Sequence, residues 1–158
     1  MNKIMVFIMA AFTLVALGSL ASACSCMAPG TPAEEFANYD VVFQGEVINV
    51  NENGMSNLVT FDVEKSWKGV WGEEIKINTA KDSAGCGYNF EEDKSYVVYA
   101  PLVEEELTVT LCSRTALVDD AQEDLDYLNT LPVDFDRGNF MPVSFWQKIS
   151  NFFRNLFD

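Results

Sequence analysis

The chain has 158 residues, enough for one domain with a hydrophobic core and too few for two large ones. It contains no histidine, which excludes Ser-His-Asp and Cys-His nucleophile systems, histidine general bases and histidine-based zinc sites. Acidic residues outnumber basic ones 24 to 10, so the surface repels phosphate backbones and we expect no nucleic-acid binding.

The first 23 residues have the pattern of an export signal. Lys3 precedes an uncharged apolar run over residues 4–17, and small residues follow, ending in Ala21-Ser22-Ala23. This A-x-A sequence is typical of a cleavage site, and the apolar run is too short for a comfortable membrane span. We therefore expect residues 1–23 to be removed and the mature, secreted or otherwise extracytoplasmic chain to begin at Cys24, in the periplasm, the cell envelope or the medium.

The same junction leaves a second export route open. Leu20-Ala21-Ser22-Ala23-Cys24 is an imperfect lipobox, and the lipoprotein pathway would place diacylglycerol on the Cys24 sulfur and usually an acyl group on its amine. Alanine stands where leucine is usual, and lipidation would leave an odd number of thiols. Cleavage that leaves a free amine is therefore favoured.

All four cysteines lie after the predicted signal: Cys24, Cys26, Cys86 and Cys112. An even number in an exported chain predicts two disulfides. A bond between Cys24 and Cys26 would close a small strained ring and is the least favoured, while the two remaining pairings stay open. A four-cysteine zinc site normally has two C-x-x-C pairs, and a redox site one, so the single C-x-C argues against both.

A short helix followed by five strands is predicted for the first part of the mature chain. Thr31-Pro32-Ala33-Glu34 is a capping box with proline at the first helical position, and the helix ends near Asn38. Gly45 predicts a bulge or bend, and Asn53-Gly54 predicts a hairpin turn. The five predicted strands span residues 41–50, 58–65, 74–79, 95–100 and 107–112. In the second strand Val59, Phe61 and Val63 share one face, and in the third strand Ile75 and Ile77 point inward. Trp67-Lys68-Gly69 is predicted to connect these two strands.

A second helix follows the strands, capped by Asp119 or Asp120, with Ala121, Leu125 and Leu128 recurring at helical spacing. Five short strands and flanking helices in about a hundred residues favour a mainly β fold, a five-stranded OB-type Greek-key barrel. Of the remaining candidates, Arg114 is predicted to form a structural ion pair, and Trp67 and Tyr88 to lie in or beside the core. The acidic clusters are predicted to be solvated turns.

Residues 132–158 form a tail distinct from the predicted domain at 24–131. Over 143–157 they predict an amphipathic helix. Packing of its apolar stripe onto the barrel is the favoured interpretation, and an interfacial helix at a membrane surface or partner is the alternative, because Lys148 and Arg154 stand out in an acidic chain. The stripe consists of Phe145, Trp146, Ile149, Phe152, Phe153, Leu156 and Phe157.

Five segments together resemble the tissue inhibitors of metalloproteinases and the wider netrin-like domain family. Cys24-Ser25-Cys26 follows the predicted cleavage point, and the similarity continues through residues 36–47. It returns at Trp67-Lys68-Gly69, at residues 86–90 and at residues 111–115, so that it covers about 24–131. A C-x-C at a mature N-terminus with two later cysteines in these contexts is fairly specific.

The resemblance implies an OB-type barrel with Cys24–Cys86 and Cys26–Cys112 disulfides. It implies an inhibitor rather than an enzyme, with no cofactor and no metal of its own, whose partner is a zinc metalloproteinase. Cys24 would chelate the protease zinc through its free α-amine and carbonyl, Ser25 would enter the specificity pocket, and Cys26 would belong to the contacting ridge. The alternative is an exported or envelope-associated interaction module without inhibitory activity.

Overall fold

A computed structural model describes residues 24–139. Within them the fold is mainly β, an antiparallel sheet of six strands with two helices. The predicted signal at 1–23 and the predicted tail helix at 143–157 lie outside the described residues. Between residues 24 and 139 no helix is long and apolar enough to cross a membrane. The strands are β1 (Val41–Asn53), β2 (Ser56–Lys68), β3 (Glu74–Ala80), β4 (Ser95–Ala100), β5 (Leu102–Val103), β6 (Glu106–Leu107), β7 (Ala116–Leu117) and β8 (Phe135–Asp136).

The sheet is built on the long β1–β2 hairpin. Its strands run in the order β3-β2-β1-β4-β7, β8 pairs with β2, and β5 and β6 form a separate two-stranded sheet. Asn53 pairs with Ser56 around Gly54, whose φ is 64°, so the predicted hairpin turn is confirmed. The register shifts between Gln44 and Gly45, which confirms the predicted bulge. A Cβ on Gly45 would lie 2.7 Å from the Asp62 carbonyl oxygen, so the strands approach too closely there for a side chain.

The predicted fifth strand, 107–112, is wrong. Only Leu107 belongs to a strand, β6, and the residues after it make two isolated bridges, Thr108 to Asn78 and Thr110 to Gly87. Because the first bridge is to β3 and the second is to a loop, no continuous ladder forms. Trp67 and Lys68, predicted as a connection, instead complete β2, whose pairing with β1 runs on to Lys68.

Helix α1 (Pro32–Asn38) begins as predicted, with Thr31 as N-cap and Glu34 completing the capping box. Helix α2 (Gln122–Leu128) also forms, but the predicted Asp caps are wrong. Asp119 and Asp120 lie in a 3-10 turn, Val118–Asp120, and the Ala121 N–H donates to the Val118 carbonyl at 3.2 Å. The turn therefore places Ala121 at the N-cap, without a side-chain hydrogen bond.

Alternate residues along the strands fill two separate hydrophobic clusters, as the two-residue period of a strand requires. In β4, Tyr96 and Val98 join the larger cluster, whereas Val97 and Tyr99 join the cluster that includes residues of α2. The inward faces predicted for the second and third strands are confirmed. Val59, Phe61, Val63 and Ile77 are fully buried, and Ile75 packs against them.

Candidate functional site

The N-terminal segment, residues 24–30, is fixed to the domain by two disulfides. Cys24 is bonded to Cys86 and Cys26 to Cys112, with Cα–Cα distances of 5.4 and 5.1 Å. This is the pairing that the resemblance implied. The Sγ atoms of Cys24 and Cys112, which belong to different bonds, are only 4.0 Å apart. The two disulfides therefore form one compact sulfur cluster beneath the segment.

The side chains between and beyond the bridges face solvent. Ser25 is exposed, and so are residues 27–29, with Met27 89% exposed. Residues 24–29 are therefore anchored to the domain through their two cysteines, while their other side chains point outward. We call these residues the ridge.

Gly30 directly follows the ridge, and both of its backbone polar groups form hydrogen bonds. Its N–H donates to Oε1 of Glu35 at 2.7 Å, and its carbonyl accepts from Nη1 of Arg114 at 2.7 Å. A Cβ at this position would lie 2.9 Å from Oε2 of Glu34 and 3.0 Å from Oε1 of Glu35. Glycine therefore allows α1 to approach the segment closely.

Arg114 belongs to a buried polar network that confirms its predicted structural role. Its Nε donates to Oδ1 of Asp124 at 2.6 Å, and its Nη2 donates to Glu123. The Tyr99 hydroxyl donates to the same Asp124 oxygen at 2.7 Å. Burial opposes the charge of Arg114, but the hydrogen bonds that it donates to Asp124 and Glu123 outweigh this effect and raise the pKa of Arg114. The guanidinium thus joins α2 and the sheet to the N-terminal segment.

The loop that presents Cys86 is shaped by local backbone requirements. Asp82 caps the 3-10 turn Ser83–Gly85, and Cys86 follows with a φ of 61°. A Cβ on Gly87 would lie 1.9 Å from the Ala80 carbonyl oxygen, so that only glycine fits. These constraints turn the chain back after β3 and direct Cys86 toward Cys24.

The Trp67-Lys68-Gly69 segment contacts the C-terminal end of α1, a role that sequence patterns did not reveal. Nζ of Lys68 donates to the Phe36 carbonyl at 2.9 Å and to the Tyr39 carbonyl, which are orphan acceptors at the end of α1. Gly69 has a φ of 77°, and a Cβ there would lie 2.6 Å from the Asp40 carbonyl oxygen. The segment thereby fixes the helix that carries Glu35.

A cleft of about 330 Å³ separates the ridge from α1. Residues 25–29 and Cys112 form one side, and Glu35 and Tyr39 form the other. The Sγ atoms of Cys24, Cys26 and Cys112 lie within 4.8 Å of one another nearby. Because each sulfur is in a disulfide, none is a thiolate, the form in which cysteine binds a metal.

Comparison with protein-family models and with curated protein sequences returned no match. The two disulfides fit an extracytoplasmic location. The chemistry of the ridge is therefore the basis on which a function is assigned.

Proposed function

We propose that the protein is an exported inhibitor of a zinc metalloproteinase and not an enzyme. In this proposal residues 1–23 are removed, and the α-amine and carbonyl of Cys24 chelate the protease zinc. A catalytic zinc keeps one coordination position for water or substrate, and a five-membered chelate ring would displace that water. The domain itself would be an OB-type barrel that needs no cofactor.

The anchoring of Cys24 is the single observation that carries this proposal. A free chain terminus would lose conformational freedom on binding, which lowers affinity. Cys24 is bonded to Cys86, and two residues later Cys26 is bonded to Cys112. The terminal amine and carbonyl would thus meet the zinc already ordered.

The exposure of Ser25 supports the role that the proposal gives it. This residue lies between the two bridged cysteines and is exposed, so its small side chain is free to enter a pocket beside the metal. Cys26 is exposed as well and would contact the protease as part of the ridge. Both residues would add binding energy without adding a metal ligand.

The proposal is tested by modifying the terminal amine alone. Protein that begins at Cys24 is expected to inhibit at least one member of a panel of zinc metalloproteinases. One alanine added before Cys24, or acetylation of the amine, should abolish inhibition, because neither product places the Cys24 amine on the metal. An N-terminally modified form that inhibits equally well would exclude chelation by Cys24.

Circular dichroism and thermal unfolding of all three forms supply the control, since the modifications leave both disulfides in place. Failure of the unmodified form against the whole panel would favour the envelope interaction module. Mass spectrometry of the natural N-terminus would detect a lipid on Cys24, an outcome that also favours the module.

A further inference from the structure

The cleft between the ridge and α1 is open and carries negative charge beside an otherwise largely apolar wall. Met27, Ala28 and Pro29 contribute apolar groups, and Glu35 contributes a carboxylate. Its volume of about 330 Å³ is at the lower end of pockets that hold a small molecule. A cleft of this size suits a single long side chain.

The Glu35 carboxylate is positioned by the fold rather than free on the surface. Its Oε1 accepts the Gly30 N–H at 2.7 Å, which holds the carboxylate in place and leaves further lone pairs on it. Burial and the neighbouring Glu35 charge raise the pKa of Tyr39 above its ordinary value. Glu35 and Tyr39 both line the cleft.

The positively charged side chains near the cleft already have other partners. Arg114 is paired with Asp124 and Glu123, and Nζ of Lys68 donates to carbonyl groups at the end of α1. Among the described residues that line the cleft, none is Lys or Arg. A positive group that entered the cleft would therefore meet Glu35 without an internal competitor.

We infer that this cleft receives an arginine side chain of the inhibited protease, paired with Glu35 and lying along Tyr39. Guanidinium matches carboxylate geometry and stacks on aromatic rings, while its aliphatic stem suits the Met27–Pro29 side. The formal charge of −14 favours a basic partner surface. The identity of the partner rests on the proposed function, whereas the preference for guanidinium does not.

The first test uses the whole domain without a protease. Backbone amide resonances of Ser25, Glu35 and Tyr39 are followed by NMR during titration with N-acetyl-argininamide, and with the neutral isostere N-acetyl-citrullinamide as a control. We expect saturable shifts with the arginine compound only. Glu35→Gln retains a carbonyl acceptor for the Gly30 N–H but removes the charge, and should weaken binding about tenfold.

Glu34→Gln is the matched control, because Glu34 is adjacent on α1, is exposed and is not part of the cleft wall. Glutamine also preserves the capping box. Argininamide binding should be unchanged in this variant. The inference is overturned if the wild type shows no saturable shift, or if Glu35→Gln and wild type bind equally.

The second test measures inhibition constants for a susceptible protease. Glu35→Gln should raise the constant about tenfold relative to both wild type and Glu34→Gln. Equal inhibition by all three would overturn the assignment of the arginine to the protease. If the wild type inhibits no protease, the proposed function fails, and the argininamide titration still decides whether the cleft selects guanidinium.

Discussion

Gly30 and Arg114, 84 residues apart in sequence, are joined by a 2.7 Å hydrogen bond from the guanidinium to the glycine carbonyl. Arg114 lies two residues after Cys112, which holds Cys26 through a disulfide. One short stretch of chain therefore fixes the N-terminal segment twice, by a covalent bond and by a charged donor. The rigidity of the ridge depends on this pair of attachments.

Replacing Arg114 by methionine is expected to destabilise the fold by about 3 kcal/mol, because it leaves the buried Asp124 carboxylate without its cation. Urea unfolding measures the change. Arg137→Met is the matched control, since the Arg137–Asp62 pair is much more exposed than the Arg114–Asp124 pair and should contribute less than about 1 kcal/mol. Equal losses in the two variants would show that the buried network does not stabilise the fold.

Gly54 and Gly69 both have a left-handed backbone conformation. Alanine substitutions at these two positions distinguish the cost of that conformation from the cost of steric overlap. Gly54→Ala should cost about 1 kcal/mol from its positive φ alone, since no atom lies within 4 Å of the added Cβ. Gly69→Ala should cost clearly more, because its Cβ would also lie 2.6 Å from the Asp40 carbonyl oxygen. Chemical denaturation of both variants checks the order, and the reverse order would contradict the close approach of Gly69 to the Asp40 carbonyl.

Features encoded by neighbouring residues were predictable from the sequence. The Thr31–Glu34 capping box and the Asn53-Gly54 turn each depend on residues within one turn of chain. The inward face of β2 was predictable because alternation repeats every second residue. Such local signals do not depend on tertiary contacts with distant parts of the chain.

Features that depend on distant partners were not predictable. The 107–112 segment has the composition of a strand, but its hydrogen bonds go to β3 and then to the Cys86 loop. Lys68 contacts carbonyl groups of α1 some 30 residues earlier, and nothing local in Trp67-Lys68-Gly69 indicates it. The cleft beside the ridge likewise exists only after the disulfides and Gly30 bring α1 close to residues 25–29.

Peptide mapping under non-reducing conditions should recover Cys24 linked to Cys86 and Cys26 linked to Cys112. The measurement discriminates because the Cys24 and Cys112 sulfurs are only 4.0 Å apart, so the alternative pairing requires little movement. Peptides that link Cys24 to Cys112, or free thiols, would contradict the ridge geometry. Alkylation at acidic pH before digestion prevents exchange between the two bonds.

Stability is expected to fall above about pH 10, the ordinary pKa of tyrosine. Burial, followed by the hydrogen bond to Asp124, raises the pKa of Tyr99, and burial raises the pKa of Tyr88 to about 12. The unfolded chain therefore loses these protons first as pH rises, which favours unfolding by at most about 1.4 kcal/mol per pH unit for each tyrosine.

Unfolding free energies measured between pH 9 and 11.5 should show this slope. Tyr99→Phe and Tyr88→Phe should each make it shallower, because phenylalanine has no proton to lose. If both variants retained the full slope of the wild type, the alkaline loss would have to come from other groups.

The central claim is that the Cys24 amine and carbonyl coordinate the protease zinc, and a cobalt-substituted metalloproteinase tests it directly. The visible spectrum of protein-bound Co(II) changes when its bound water is replaced by a nitrogen ligand. Protein that begins at Cys24 should change the spectrum with one-to-one stoichiometry, and protein with one alanine before Cys24 should not. An unchanged spectrum in an inhibited complex, or the same change with the extended protein, would contradict chelation by Cys24.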